Sequence, residues 1–392
     1  FASGFDTAAS ASAGNLLASQ VGTEASGTVL AGENANDNSG FSVAAVGDVN
    51  GDGIADLLVG APNADTLNGT DAGKARLVFG GTSLQSSLTA PLSLTYLGEG
   101  AYHHAGYAVA RAGDVNGDGR KDFLIGAPGA SPNGTGSGRV YLVFGNSGLD
   151  ELASGSLDLG GLAACSAGTL CGIVFDGEAA GDLAGAALAY AGDINDDGHG
   201  DLLIGAPGAS PEGRAGAGKV YLVYGPLGTP GTRGLSTVGV STPGLVFYGE
   251  SAGDAAGTSV SSWPDPSVSL IDDLLIGAPY ADATDEFGIT VTDAGYLYAI
   301  HGGTTNLVPN PPSPATIQLS RVASGLPDQV TGVVFIGSEP GLEVGRSSTG
   351  EVDYNGDGVP DVIFGANGEA WAVPGDDPKN VSGGSTIDRE PT

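Results

Sequence analysis

Positive charge is scarce in this chain. Its 392 residues hold 13 Lys and Arg against 45 Asp and Glu, a formal net charge of −32 at pH 7. Phosphate recognition needs clustered Lys and Arg, so nucleic acid is excluded as an expected partner. An anionic membrane surface is excluded on the same ground. Methionine is absent, and no apolar run reaches the roughly 18 residues that a membrane-spanning helix needs. The chain begins at Phe1 with no signal peptide, so it reads as a processed, secreted product, extracellular or at the cell surface. Only four histidines occur, His103, His104, His199 and His301, and there is no nucleophile elbow, zincin helix or phosphate-binding loop. Two cysteines are present, Cys165 and Cys171. A local disulfide suits a secreted protein, and two free thiols are the alternative. A zinc site is excluded, because two further ligands would be needed.

Glycine is abundant, at 70 residues, and punctuates short apolar runs, the pattern of many tight turns between strands. A nine-residue acidic loop recurs among them: Asp48-Val-Asn-Gly-Asp-Gly-Ile-Ala-Asp56, Asp114-Val-Asn-Gly-Asp-Gly-Arg-Lys-Asp122, Asp193-Ile-Asn-Asp-Asp-Gly-His-Gly-Asp201 and Asp353-Tyr-Asn-Gly-Asp-Gly-Val-Pro-Asp361. Each is followed by an apolar strand, Asp56-Leu-Leu-Val-Gly-Ala-Pro62 in the first unit, and a related strand starts at Asp273. In register the units begin at 48, 114, 193, 265 and 353. That spacing suits four-stranded blades with variable loops. The strand after each loop is apolar at consecutive positions, so both of its faces should be buried. The expected fold is an all-β propeller. Five blades are favoured, with six or seven as alternatives. The fifth unit lacks a fourth strand, and Gly27-Thr-Val-Leu-Ala-Gly-Glu33 matches Gly172-Ile-Val-Phe-Asp-Gly-Glu178, so the N-terminal strand is expected to close the ring. The propeller should cover 27–375, with 1–26 a flexible segment and 376–392 a tail.

The order of acidic loop, apolar strand and Gly-Ala-Pro resembles the FG-GAP repeats of integrin α-subunit β-propellers and their bacterial relatives. Two departures stand out. The family's Phe before the opening glycine is replaced by Ser39, Ala105, Ala184, Ala256 or Val344, and the fifth copy replaces Pro with Asn367.

The loops read as calcium sites on residue chemistry alone. Side chains at positions 1, 3, 5 and 9 supply the oxygens that a hard cation takes, and position 7 supplies a backbone carbonyl. The expected ligands are Asp48, Asn50, Asp52, Ile54 and Asp56; Asp114, Asn116, Asp118, Arg120 and Asp122; Asp193, Asn195, Asp197, His199 and Asp201; Asp353, Asn355, Asp357, Val359 and Asp361. A backbone ligand leaves the side chain at position 7 free to vary. Both flanks are strands and the closing acid is at position 9, which excludes an EF-hand. Magnesium suits the set less well, because it keeps its waters and demands octahedral geometry. Asp265-Pro-Ser-Val-Ser-Leu-Ile-Asp-Asp273 keeps only the two ends, so a fifth site should be weak or empty.

The resemblance implies that these loops sit on the lower face and support structure, while ligands engage the opposite face. Residues 34–39, 101–105, 179–184, 251–256 and 281–293 belong to that upper face. His103, His104 and the aromatics Tyr102, Tyr107, Tyr280 and Phe287 are its candidate contacts. The expected function is non-catalytic: a calcium-stabilised recognition, adhesion or surface-structural module that binds a protein or glycan, with assembly into a larger surface structure possible. The alternative is a propeller enzyme, or its accessory domain, acting on polysaccharide.

Overall fold

The computed structural model describes residues 29–81, 93–149, 155–165, 170–264, 271–284, 287–302, 307, 316–324, 330–375 and 385–387. The described chain is strand and turn, with short 3-10 segments between.

The strands group into five blades. The first holds β1 (Ser42–Gly47), β2 (Asp56–Ala61), β3 (Lys74–Val78) and β4 (Ser93–Leu97). The second holds β5 (Val109–Gly113), β6 (Asp122–Ala127) and β7 (Arg139–Val143), then, after the short β8 (Ser156–Asp158), β9 (Gly172–Asp176). The third is β10 (Ala187–Gly192), β11 (Asp201–Ala206), β12 (Lys219–Val223) and, after β13 (Gly231–Gly234), β14 (Gly244–Tyr248). The fourth is β15 (Ser259–Trp263), β16 (Asp273–Ala278), then, past the hairpin β17 (Ala283–Thr284) and β18 (Thr290–Val291), β19 (Tyr296–Ile300), and, after β20 (Thr316–Gln318), β21 (Gly332–Gly337). The fifth has three antiparallel strands, β22 (Ser347–Val352), β23 (Asp361–Ala366) and β24 (Glu369–Val373), and β25 (Ser385–Ile387) follows it.

Four blades are larger than expected. Each gains a fifth, parallel strand on its outer edge, supplied by the blade that follows: β8 on β4, β13 on β9, β20 on β14 and β25 on β21. The stretch expected as a C-terminal tail therefore supplies a strand. Residues 29–33 of the expected closing strand form no ladder, and 27–28 lie outside the described residues.

The second strand of each blade behaves as its composition requires. β6, β11 and β16 are buried along their whole length. Four apolar clusters join neighbouring blades. Tyr96 packs with Phe123 and Tyr141, Phe175 with Ile204 and Tyr221, Phe247 with Ile276 and Tyr298, and Phe335 with Phe364. Full burial of such side chains contributes about 1.5–3 kcal/mol each. The glycine of Gly-Ala-Pro lets the blades approach. A Cβ on Gly60, Gly126, Gly205 or Gly277 would sit 2.0–2.2 Å from the carbonyl oxygen of Gly106, Gly185, Gly257 or Gly345 in the next blade. The family's Phe position is filled there by buried small residues, Ala105, Ala184, Ala256 and Val344.

The five inner strands line one axial cavity of about 370 Å³. Arg111 of β5 lies 5.3 Å from the ring centre of Tyr190 and donates to Glu351 of β22 at 2.6 Å.

Candidate functional site

The acidic loops join the first and second strands of blades one, two, three and five. Their geometry is shared. In the first, Asp48 accepts hydrogen bonds from the backbone N–H groups of Gly51, Asp52 and Gly53 at 2.7, 3.0 and 2.8 Å. Asp52 accepts from Ile54 N–H at 2.7 Å, and Asn50 from Asp52 N–H at 3.1 Å. Asp114, Asp118 and Asn116 repeat these bonds with Gly119, Arg120 and Asp118. Asp193, Asp197 and Asn195 do so with Gly198, His199 and Asp197, and Asp353, Asp357 and Asn355 with Gly358, Val359 and Asp357. Position 6 is left-handed in every copy, with φ of 86° at Gly53 and 91° at Gly358, so glycine is favoured there. Position 4 is left-handed too. Asp196 fills it in the third loop at φ 58°, a conformation that Asp tolerates.

The ninth residue is different in kind. Asp56, Asp122, Asp201 and Asp361 are buried; the first three carboxylates each receive two backbone donors and Asp361 receives three. Asp122 accepts from Val115 N–H and Gly145 N–H, both at 2.9 Å, which ties the loop to the end of the third strand. Burial is the main influence on its pKa, which rises to about 7. The two backbone donors oppose this, and the Asp118 and Asp114 carboxylates add to it. Asp201 rises to about 7 and Asp56 to about 6 by the same balance. Three carboxylates are thus gathered within mutual repulsion. Each carboxylate oxygen has two lone-pair directions, so acceptor capacity remains. This chemistry fits a hard cation held by positions 1, 3, 5 and 9. Among the described residues, however, no three acidic, His or Cys side chains already stand in coordinating geometry. Asp265 lies outside the described residues. Asp273 keeps the buried ninth-position role and accepts from Gly302 N–H at 2.9 Å.

The opposite face carries a cavity of about 740 Å³, lined by Phe41, Tyr102, His104, Tyr107, Leu183, Thr258 and Arg346 among others. All five blades contribute. Phe41 and Tyr107 lie with ring centres 4.9 Å apart. Tyr102, at 60% exposure, Phe41, at 53%, and Leu183, at 40%, present apolar surface to solvent. Arg346 is held by Glu343. His104 sets a ring nitrogen 3.2 Å from the Pro62 carbonyl oxygen. No carboxylate lines the cavity.

Of the expected upper-face residues, Tyr102, Tyr107 and His104 reach this cavity. Tyr280 and Phe287 are exposed elsewhere. His103 turns inward, where burial lowers its pKa. Leu183, in the expected upper-face loop 179–184, reaches the cavity too, whereas Phe41 and Arg346 were not legible as site residues, because nothing in their local sequence marks them. The cysteines are joined as a Cys165–Cys171 disulfide.

The FG-GAP repeat family profile matches residues 39–78, 105–143 and 184–223. The chain carries FG-GAP repeats. Together with the blade-like sheets, these repeats make the fold an all-β FG-GAP propeller similar to those of integrin α subunits. It is 36% identical to human phosphatidylinositol-glycan-specific phospholipase D over 152 residues, 38% of this chain and 16% of that protein. It is 30% identical to chicken integrin alpha-6 over 185 residues, 46% of this chain and 15% of that protein. With fruit-fly integrin alpha-PS2 it shares 36% over 129 residues, 31% of this chain and 8% of that protein. The alignments thus cover less than a fifth of each relative. Among the described residues no helix is long and apolar enough to cross a membrane.

Proposed function

We propose that this FG-GAP propeller is an extracellular recognition module, stabilised by calcium on its lower face, that binds a protein partner in the upper-face cavity. The observation that carries this reading is the cavity itself. Loops from all five blades converge to build it, and its walls are aromatic and aliphatic with few polar groups. Such a pocket suits an apolar side chain on a protein surface, the kind of anchor on which interfaces depend. A sugar would ask for several planar polar partners. A paired-carboxylate mechanism would ask for acids that this lining lacks. Two named relatives are integrin α subunits, which supports recognition, and another is a phospholipase, which keeps an enzyme-associated role in view.

Calcium is supported by the gathered carboxylates and by the repeated left-handed glycine at position 6. Its role would be structural, since each loop is tied to its own blade through the ninth-position acid. A protein and glycan array, probed with and without calcium, tests the reading. Protein ligands should be captured, and a Phe41→Ser, Tyr107→Ser double variant should lose them while keeping its melting temperature. Capture of glycans alone, or capture unchanged in that variant, would overturn it.

A further inference from the structure

With 13 Lys and Arg among 45 Asp and Glu, a cation without an acidic partner is conspicuous in this chain. Lys74 lies 2.9 Å from Asp37, Arg139 2.7 Å from Glu99, Lys219 2.7 Å from Glu178 and Arg111 2.6 Å from Glu351. Arg233 is different. It stands half-buried on β13, and among the described residues no carboxylate pairs with it. It donates instead to a neutral acceptor, the Thr229 carbonyl oxygen, at 3.1 Å. Burial lowers its pKa, and no neighbouring acid opposes that shift. Holding a charge out of water without a partner costs free energy. A group held that way in a concave surface is a candidate for ligand binding.

Arg233 lines a cavity of about 510 Å³ together with Pro226, Thr232, Thr237, Ser241 and Thr242. Among the described residues, no carboxylate and no aromatic ring lines it. The cavity shares no residue with the one on the upper face. It lies beside the second acidic loop, where Leu227 donates its N–H to the Val115 carbonyl oxygen at 2.7 Å.

The walls are fixed by their own hydrogen bonds. The Thr237 carbonyl oxygen accepts from the N–H groups of Val240, Ser241 and Thr242 at 3.0, 2.9 and 2.9 Å. A parallel ladder holds β13, with Arg233 opposite Phe175 of β9. The Thr237 hydroxyl donates to the Gly234 carbonyl oxygen at 2.7 Å. In its 2.8 Å contact with the Thr242 hydroxyl it must therefore accept. Both of those protons are spent. The Thr232 and Ser241 hydroxyls, on exposed residues of the rim, keep theirs for a ligand. The Arg233 guanidinium carries five N–H donors and gives one to Thr229. What remains in the cavity is a set of donors, one of them cationic, with no acid to satisfy them.

We propose that this cavity is an oxyanion site, in which Arg233 forks onto a sulfate, phosphate or carboxylate group and Thr232 and Ser241 add neutral hydrogen bonds. A guanidinium matches two oxygens of any of these groups at once. The net charge of −32 repels anions at a distance, so the site works by contact and not by steering. It stands apart from the upper-face reading and does not rest on it.

Sodium sulfate, phosphate and acetate test the assignment, each titrated against sodium chloride at matched ionic strength without added calcium. The readout is the assigned Arg233 Nε–H signal in the NMR spectrum of the whole chain. At least one of the three anions should move it saturably, and the tightest of them identifies the group recognised. Arg233→Gln should weaken that binding about tenfold or more, because the charged fork is gone, while the melting temperature in chloride is kept. Thr232→Val with Ser241→Ala leaves the arginine in place and should weaken binding about fivefold. The proposal is overturned if no anion moves the Arg233 signal saturably, or if the hydroxyl variant binds as tightly as the native chain. It is overturned too if the anions raise the melting temperature of Arg233→Gln as much as that of the native chain, since general salt exclusion would then explain the effect.

Discussion

The four joints inside the arc and the outer flank of blade five are built from the same motif with opposite results. At each internal joint the Gly-Ala-Pro glycine has a backbone carbonyl of the next blade against it. At blade five, a Cβ on Gly365 would meet Ser347, a side chain of its own blade, at 2.5 Å and otherwise ordinary space. The internal joints are filled by apolar clusters, whereas Val43 on the first inner strand is 62% exposed and β24 is only partly covered. The comparison teaches that the glycine is needed by the neighbour, not by its own strand. A repeat motif can therefore persist where the contact that explains it is missing.

The sharpest way to break this comparison is to fill the glycine. Gly205→Val should destabilise by about 3 kcal/mol or more, because backbone cannot move aside as a side chain can. Gly365→Ala should cost well under half of that, since the Ser347 hydroxyl can rotate away. Equal losses in thermal melts would remove the distinction.

Calcium comes next. If each loop is filled at ten times its Kd, each site adds about 1.4 kcal/mol, and chelation should lower the melting temperature by several degrees. Asp122→Asn, in an internal loop, should remove one such increment. A melting curve unchanged by exhaustive chelation would sink the calcium reading.

The buried ninth-position acids give the sign of a pH effect in the chelated protein. Asp122 and Asp201 titrate near 7 when folded, against the ordinary 3.8. The folded state then binds protons more tightly than the unfolded state. Their contribution is favourable at acid pH and is lost as pH rises from about 4 through 7. Calcium should flatten that slope, and so should Asp201→Asn without calcium. Melting temperatures across this range check it.

Glu178, two residues past β9, accepts from Lys219 and Tyr221 of blade three, and its loss should give a smaller effect. Glu178→Gln should cost about 1 kcal/mol, because Lys219 and Tyr221 lose a charged acceptor.

Much of the blade architecture was legible. Consecutive apolar residues in Leu202-Leu-Ile204 require burial on both faces, and the structure buries them fully. The cross-blade strands were not legible. β8 and β20 are three residues each and partly polar, as in Ser156-Leu-Asp158, so they carry no period. Their partner is chosen by a parallel backbone ladder to a neighbouring blade, which local side chains do not encode. The cavity was half legible. Tyr102 and Tyr107 stand out as aromatics in an upper loop, but Arg346 joins them only because the packing of the blades brings an upper loop of blade five to the same cavity.

Sequence alone determined the loop chemistry, the strand order within each blade and the repeat that counts the units. These depend on contacts within a few residues, where spacing sets geometry. Tertiary structure alone decided which glycines a neighbour presses upon, which acids reach across to the next blade and which loops share a cavity. Those depend on how blades pack around an axis, and packing brings together residues that spacing keeps far apart.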